Sequence, residues 1–468
     1  MKEFAIHLEP DQKKPLYEQI YEAVRDGILE GHIPEGEKLP STRFEAEFLS
    51  CSRSTVELAY DQLLSEGYIR SEPYRGYFAC DVRELYHLTD CLRHTDVSVL
   101  TQKKTVSEYR VDFSPNGTEL SQFPYPAMGR IMKNLMLDEG EHMMQSSNPF
   151  GEPDLRQSIC DYLFRSRNVS CSPEQIIVGA GNEYLLIVLC QMLGVGHTVA
   201  MESPTYLQAY RTFRNIGYEI QPIGMDRNGM RADVLQDSMA DIVYVMPSHQ
   251  FPMGTVMPMK RRLELLRWAV QRESRYIIED DYDSEFRYRG KPIPALQGLD
   301  RAGRVVYLGT FSRNIAPATR VSYLVLPQHL LEEYRAHCGF YACTVPVIMQ
   351  KSIYRFMREG YFEKNLNRMR GVYKAKHDFL LTELRKCRWI SKIFGENSGL
   401  HLLAEIDTKL TEEELVFQCQ EEGVRVYGLS EYFLSRPSGF GNPVLLFGYG
   451  GLTEDEMREG LACIAGIV

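Results

Sequence analysis

The 468-residue sequence lacks any apolar stretch long enough to cross a membrane. Its longest apolar run lies near Tyr184–Val195, well short of the roughly 18 residues a spanning helix needs. The opening MKEFAIHLEPDQKK contains no apolar core of an export signal. Eleven cysteines are scattered without a CxxC pair or any metal-ligand spacing. That argues against a disulfide framework and a zinc site, and it fits reduced, mostly buried thiols. No low-complexity tract and no internal repeat is present. These absences point to a cytoplasmic globular protein with no membrane partner and no metal.

A basic excess is missing too. The formal net charge is −10, and Met1–Asp81 holds nine Lys and Arg against sixteen Asp and Glu. Nucleic-acid binders usually carry a basic footprint. Any DNA-binding surface here has to gather its few cations on one face, with the acids on helix one and on the backs of the other helices.

What is present is enough chain for more than one core: about 150 residues per domain suggests two to four units. Three textures divide it. Residues 12–81 read as short helices followed by a strand pair. Residues 82–110 are polar and read as a linker. Residues 111–468 alternate short apolar runs with helical periods, the pattern of an α/β domain.

In the first segment, Leu16, Ile20, Ala23, Val24 and Ile28 recur at helical spacing, and Gly31 is a stop signal. Pro40 and Ser41 open a second helix from Thr42 to about Leu49. Ser52 caps a third, whose apolar face is Val56, Ala59, Tyr60, Leu63 and Leu64 and which ends at Gly67. YIRSEPYRGYFAC then predicts two strands around a turn at Pro73–Gly76. Helix, helix, helix, hairpin is the order of a winged helix, with Arg53, Ser54, Thr55 and Glu57 at the start of the third helix able to reach a major groove. An ordinary three-helix bundle has the same periodicity.

PLYEQI, LPSTR, SRSTVELAYDQLLSEGYI and RGYF together resemble the GntR-type winged helix. The resemblance implies that Ser41 and Arg43 hold phosphates and that Arg53 and Thr55 face the groove. It places Ser54 and Tyr60 near the DNA backbone and Arg75 and Gly76 at the wing tip. Double-stranded DNA is the implied partner.

In the long segment, VGAGNEYLLIVLCQMLG reads as a strand, a glycine turn and a helix, an arrangement suited to anions. YIIEDDYDSEF reads as a buried strand, Tyr276–Ile278, ending in acids. Asp280 and Tyr282, two apart, can face the same way in extended backbone, and they suit a ligand with a cationic ring nitrogen and a phenolate. The acids equally well cap a turn. VVYLGTFSRNIAPATRVSYLVL is a strand, a loop bearing Thr310, Ser312, Arg313 and Arg320, and a strand; hydroxyls and arginines there suit phosphate.

With PSHQFPMG, EDDYDSEFRYRGKPIPALQGLD and GTFS before SYLVLP, the long segment resembles a fold-type I, pyridoxal-phosphate-dependent aminotransferase. The whole chain resembles the MocR subfamily of GntR regulators. The resemblance implies an α/β fold with a mainly parallel sheet, a small C-terminal α+β subdomain from about 345 to 468, and homodimers. It implies that Asp280 pairs with the pyridine nitrogen, Tyr282 bonds the phenolic oxygen and Tyr206 stacks on the ring. Gly181 and Asn182 amides, Ser312 and Arg320 would hold the phosphate.

One position departs from the family. Its Schiff-base lysine follows the serine of GTFS, and here that residue is Arg313. A guanidinium with a pKa above about 12 does not supply the amine nucleophile, and the proton carrier of transamination goes with it. Lys291 has no evident reason to reach the pocket. Three readings stay open: pyridoxal phosphate held without a covalent bond or weakly, including as an amino-acid adduct; another anionic effector contacted by Arg313; or a dimerisation core with no cofactor. The leading expectation is a small-molecule-sensing transcription regulator with no catalytic residue. The alternative is an aminotransferase with a vestigial DNA-binding domain. For the substrate-carboxylate arginine, Arg425 and Arg436 flank the expected region.

Overall fold

The computed structural model describes residues 8, 14–82, 109–288, 293–435 and 441–468. The chain divides into two units, Met1–Thr105 and Val106–Val468.

In the first unit, helices α1 (Leu16–Leu29), α2 (Thr42–Phe48) and α3 (Arg53–Ser65) precede a hairpin of β1 (Ile69–Glu72) and β2 (Gly76–Ala79). Local chemistry fixes the ends. The Ser41 hydroxyl accepts from Phe44 N–H and the Ser52 hydroxyl from Thr55 N–H, each at 3.2 Å; such caps contribute about 1 kcal/mol apiece. Gly31 and Gly67, both at φ +79°, let the chain turn out of α1 and α3. Ile20, Val24 and Ile28 meet Val56, Ala59, Tyr60 and Leu63 in one core with Ile69 and Ala79. The backbone around Glu37–Leu39 pairs with β2, Leu39 N–H donating to Tyr77 O at 2.9 Å and Ala79 N–H to Glu37 O at 3.0 Å. That third short edge had no signature in the sequence pattern.

The second unit is built on an eight-stranded sheet. Its strands in chain order are β3 (Ile176–Gly179), β4 (Thr198–Ser203), β5 (Glu219–Asp226), β6 (Gly229–Met230), β7 (Ile242–Val245), β8 (Tyr276–Asp281), β9 (Val305–Thr310) and β10 (Ser322–Val325). Their spatial order is β3-β10-β9-β8-β7-β4-β5-β6. β9, β8, β7, β4 and β5 are parallel, while β10 runs against both β9 and β3. Helices α4 (Pro153–Arg167), α5 (Asn182–Leu193), α6 (Leu207–Ile216), α7 (Met259–Val270) and α8 (Val347–Arg358) cover it. Strand alternation sorts the two faces: Ile177, Val306 and Leu324 pack with α5 and α6, whereas Ile176, Val178, Tyr307 and Val325 pack with α4 and α8. Val243, Ile277 and Val305 meet α7.

Strand β8 runs three residues beyond the expected Tyr276–Ile278. Its acids are buried but partnered, which is what makes burial of charge tolerable. Glu279 accepts from Leu296 and Gln297 N–H at 2.7 and 2.8 Å, and Asp281 meets Arg167 at 2.7 Å.

The long helix α9 (Tyr361–Lys386) leads to an antiparallel sheet of β11 (Ile390–Phe394), β12 (His401–Ile406), β13 (Tyr427–Gly428) and β14 (Val444–Gly448), ordered β11-β12-β14-β13. Val111–Asp112 pairs in parallel with Val424–Arg425, and Phe113 is buried in this subdomain's core. The first residues after the linker thus belong to the C-terminal subdomain. Among the described residues, no helix is long and apolar enough to cross a membrane, and no cluster of His, Cys, Asp and Glu could hold a metal. Of the described cysteines only Cys190, Cys338 and Cys419 are buried; the rest are half-buried, so the thiols are less enclosed than expected.

Candidate cofactor pocket and nucleic-acid face

The carboxyl end of β8, the start of α5 and the loop between β9 and β10 open onto one cavity of about 220 Å³. Ligand sites of open α/β sheets lie at such strand ends. Asn182, Tyr206, Asp280, Tyr282, Ser312, Arg313 and Arg320 line it, seven of the eight residues expected from sequence. The eighth, Gly181, caps α5 at φ +101°, and a Cβ there would lie 2.2 Å from Arg320 Nη2. The turn therefore requires glycine for both its backbone and its clearance.

Gly181 N–H itself donates to Gly179 O at 2.9 Å. The donors without an intrahelical acceptor are those of the following first turn, Asn182, Glu183 and Tyr184. Arg320, itself left-handed at φ +47°, pairs with Glu183 at 3.0 Å. One part of the pocket wall is thus a helix terminus with an arginine beside it, an arrangement suited to an anion.

Asp280 sits at the cavity's floor. Tyr244 O–H donates to it at 2.5 Å and Asn182 Nδ2 at 3.3 Å. Burial, tempered by the Tyr244 hydrogen bond and reinforced by Asp281, pushes its carboxyl up to about 7. Tyr282 O–H lies 3.0 Å from His249 Nδ1, which also contacts Asp283 at 2.8 Å. Burial keeps the Tyr282 phenol far above its ordinary range. Tyr206 and Phe251 meet edge to face, 5.9 Å between centroids.

Arg313 does not enter an ion pair among the described residues. Its Nη1 donates to Pro115 O at 3.3 Å and its Nη2 to Asn116 Oδ1 at 2.5 Å. Its positive charge nonetheless bears on Tyr206, Tyr282 and His401. Arg425 lies away from the cavity wall, stacked over Tyr109 and Tyr427 and 3.8 Å from Asp112. Arg436 and Lys291 lie outside the described residues.

The donor set suits pyridoxal phosphate. A buried carboxylate faces where a cationic ring nitrogen would sit, a phenol accompanies it, and a glycine cradle with free amides and an arginine awaits a phosphate. Asn182 Oδ1 is buried with no partner among the described residues, a polar atom left for a bound group to satisfy.

On the winged helix, Arg43, Arg53, Ser54 and Arg75 are exposed and Thr55 and Gly76 half-buried. Ser52 Oγ lies 2.8 Å from Ser54 Oγ and 2.7 Å from Thr55 Oγ1. Tyr60 is a correction. It is 1% exposed, its hydroxyl donates to Pro40 O at 3.3 Å, and its ring meets Tyr77. Its helical position puts it on the apolar face, so it supports the core and not a DNA contact. Glu57, expected beside Arg53 at the start of α3, pairs with it at 2.8 Å. Glu72 is placed differently from the expected pattern of acids: it meets Arg75 at 2.5 Å and Arg70 at 3.4 Å and so stands among the arginines and not behind them.

Sequence reasoning missed Tyr244, His249 and Asn116. Tyr244 hides in the apolar run IVYV; His249 lies within PSHQFPMG; Asn116 is 197 positions from its partner Arg313.

Comparison with known proteins agrees with both units. Residues 16–78 match the family described as bacterial regulatory proteins, gntR family, and residues 119–459 match aminotransferase class I and II. The uncharacterized HTH-type transcriptional regulator YdeL of Bacillus subtilis is 38% identical over 96% of this chain and 95% of its own length. The probable rhizopine catabolism regulatory protein MocR of Rhizobium meliloti is 32% identical over 97% and 94%. The multiple substrate aminotransferase of Thermococcus profundus superposes with a TM-score of 0.69 at 22% identity, covering 81% of this chain and 97% of that one, which shows the shared fold.

The molecule is therefore a winged-helix DNA-binding module joined to an aminotransferase-fold domain of a pyridoxal-phosphate-dependent family. The chain belongs to the MocR subfamily of GntR-type transcription regulators.

Proposed function

We propose that this regulator senses pyridoxal phosphate, or an amino-acid conjugate of it, by non-covalent binding, and that it does not transaminate. The observation that carries this reading is Arg313 in the lysine position of a pocket whose other expected contacts converge. When bound, the cofactor supplies an aldehyde and an electron-withdrawing ring. The chain's own residues then have separable tasks. Asp280, once deprotonated, balances the ring nitrogen's charge. Tyr282 donates to the phenolic oxygen, with His249 and Asp283 fixing its direction. The first turn of α5, Ser312 and Arg320 take the phosphate, and Tyr206 covers the ring. A guanidinium offers no lone pair to attack a carbonyl, so Arg313 supplies no nucleophile.

On the winged helix, Arg53 and Thr55 read the groove, Ser41, Arg43 and Ser54 hold phosphates, and Arg75 and Gly76 enter at the wing. Residues 12–81 form this module, 82–110 the linker, and 111–468 the sensing domain. Two chains pair through their large domains, and ligand occupancy shifts DNA affinity by favouring one arrangement of the dimer. The protein works in the cytoplasm.

Titration of the purified protein with pyridoxal phosphate, followed by borohydride and peptide mapping, tests the pocket. The expected result is saturable binding with no fixed adduct at position 313 in the native chain, and a fixed adduct there in Arg313→Lys. A pocket adduct in the native chain would favour the enzyme reading. Gel shifts on the DNA beside its own gene test the regulator; no shift at low salt, with or without pyridoxal phosphate, argues against it.

A further inference from the structure

We propose that Arg313 is a carboxylate receptor, so that the preferred ligand carries an acid group beside the phosphopyridoxyl ring. The proposal rests on the pocket reading above and narrows it to a ligand class: phosphopyridoxyl conjugates of amino acids, or the ring accompanied by a separate carboxylic acid.

The case begins with what Arg313 touches. Its two recorded acceptors, Pro115 O and Asn116 Oδ1, are neutral. Other arginines near the site have carboxylates: Arg320 has Glu183 at 3.0 Å and Arg167 has Asp281 at 2.7 Å. Arg313 has none among the described residues, although it is half-buried and lines the cavity. A partly desolvated cation held only by neutral oxygens gains from exchanging them for an anion, because an opposite charge adds Coulomb attraction that a neutral acceptor lacks, and a carboxylate takes the guanidinium through two parallel hydrogen bonds.

The surroundings leave that anion to a ligand. Among the described residues, Asp280 and Glu183 are the carboxylates on the wall. Asp280 is engaged by Tyr244 and Asn182, and Glu183 by Arg320. His401 is buried with its Nε2 donating to Pro252 O, and burial, reinforced by His249, keeps its imidazole neutral. The two arginines on the cavity wall are also distinct in their partners. Arg320 serves the Gly181 turn, while Arg313 serves Pro115–Asn116. One ligand with a phosphate at Arg320 and a carboxylate at Arg313 engages both. Asn116 directs its oxygen to Arg313, and among the described residues no acceptor takes its Nδ2, a second donor for the same carboxylate. The planar fork of a guanidinium grips a carboxylate through two parallel hydrogen bonds, which a lysine ammonium does not. Replacing lysine by arginine therefore exchanges a nucleophile for a receptor.

Calorimetric titration of the full-length protein separates the outcomes. Three probes are used: phosphopyridoxyl-L-alanine, phosphopyridoxyl-ethylamine, which lacks only the carboxylate, and pyridoxine phosphate with or without free alanine. Native protein is expected to prefer the alanine conjugate over the ethylamine conjugate by about ten- to a hundred-fold, the range of a lost charged hydrogen-bond pair. In Arg313→Gln the ratio should collapse to within about two-fold, and Arg313→Lys, which keeps charge without the fork, should fall between. Tightening of pyridoxine phosphate by free alanine would assign the carboxylate to a separate acid; no tightening assigns it to the conjugate. Equal affinity of the two conjugates in native protein, or a ratio that survives in both variants, overturns the carboxylate role while leaving the pocket intact. Failure of all phosphopyridoxyl probes to bind folded protein overturns the pocket reading, and this proposal with it.

Discussion

The arginines of the winged helix and the arginine of the pocket stand in opposite electrostatic states. Arg53 lies against Glu57, and Arg70 and Arg75 share Glu72. Arg313, among the described residues, has a carbonyl and an amide oxygen. Exposed pairs of the first kind are worth about 0–1 kcal/mol, so a DNA phosphate displaces the glutamate at little cost, yet an unspecific polyanion gains less than it would from a bare arginine. An arginine of the second kind is already poised for an anion. Three arginines of one unit are held by glutamates, while the pocket arginine of the other is held by neutral oxygens.

The comparison breaks most severely if an arginine is pushed out of place. Gly181→Val sets a branched side chain at φ +101° against the Arg320 guanidinium. Affinity for pyridoxine phosphate, read by calorimetry, should fall about a hundred-fold or more, as expected for loss of a charged phosphate contact together with backbone strain. Next, Arg53→Ala should weaken binding to the preferred DNA site by about 1–3 kcal/mol and relax specificity at one base position, measured by fluorescence anisotropy across a panel of single-base variants.

A pH test sharpens the pocket side. Burial raises Asp280 to about 7. A ligand with a protonated ring nitrogen needs the ionised carboxylate, so affinity for pyridoxine phosphate should drop about ten-fold per unit as pH falls below 7. Stability of the ligand-free protein runs the other way. The folded state retains a proton that the unfolded chain releases near its ordinary value, so this contribution is complete below about pH 4 and is lost as pH rises through 7. Asp280→Asn should melt a few degrees above native at pH 8, with the gap closing toward pH 4, as seen by calorimetric scans.

The smallest effect belongs to Glu72→Gln. Releasing Arg70 and Arg75 should raise affinity for random-sequence DNA about two- to three-fold and steepen its salt dependence by up to about one unit of slope. Unchanged random-sequence affinity would remove Glu72 from the comparison.

Much of this was legible because it is written locally. Caps at Ser41 and Ser52 and stops at Gly31 and Gly67 sit next to the helices they bound. Asp280, Tyr282, Arg313 and Arg320 belong to short motifs whose order resembles a known family. What sequence hid is made by distant packing. Tyr244 reads as core because only the neighbouring strand reveals Asp280 at its hydroxyl. The true length of β8 was masked because its acids are affordable only with Arg167 and the Leu296 and Gln297 amides brought in from elsewhere. Glu57 was readable in principle, four residues after Arg53 on one helix. For Tyr60, helical periodicity pointed to the core and was the better guide than resemblance.

The glycines of the last strand region set where the large domain truly begins. A Cβ at Gly448 would meet Ser114 O at 2.0 Å, and one at Gly450 would meet Gly117 O at 2.2 Å. The backbone of 114–117 is thus seated in a slot that only glycine leaves open, with Phe113 buried just before it. A fragment cut at 119, where the similarity to aminotransferases starts, would strip out that edge and bare the slot. Any excised sensing domain has to keep Val111 to Gly117 to keep its own floor.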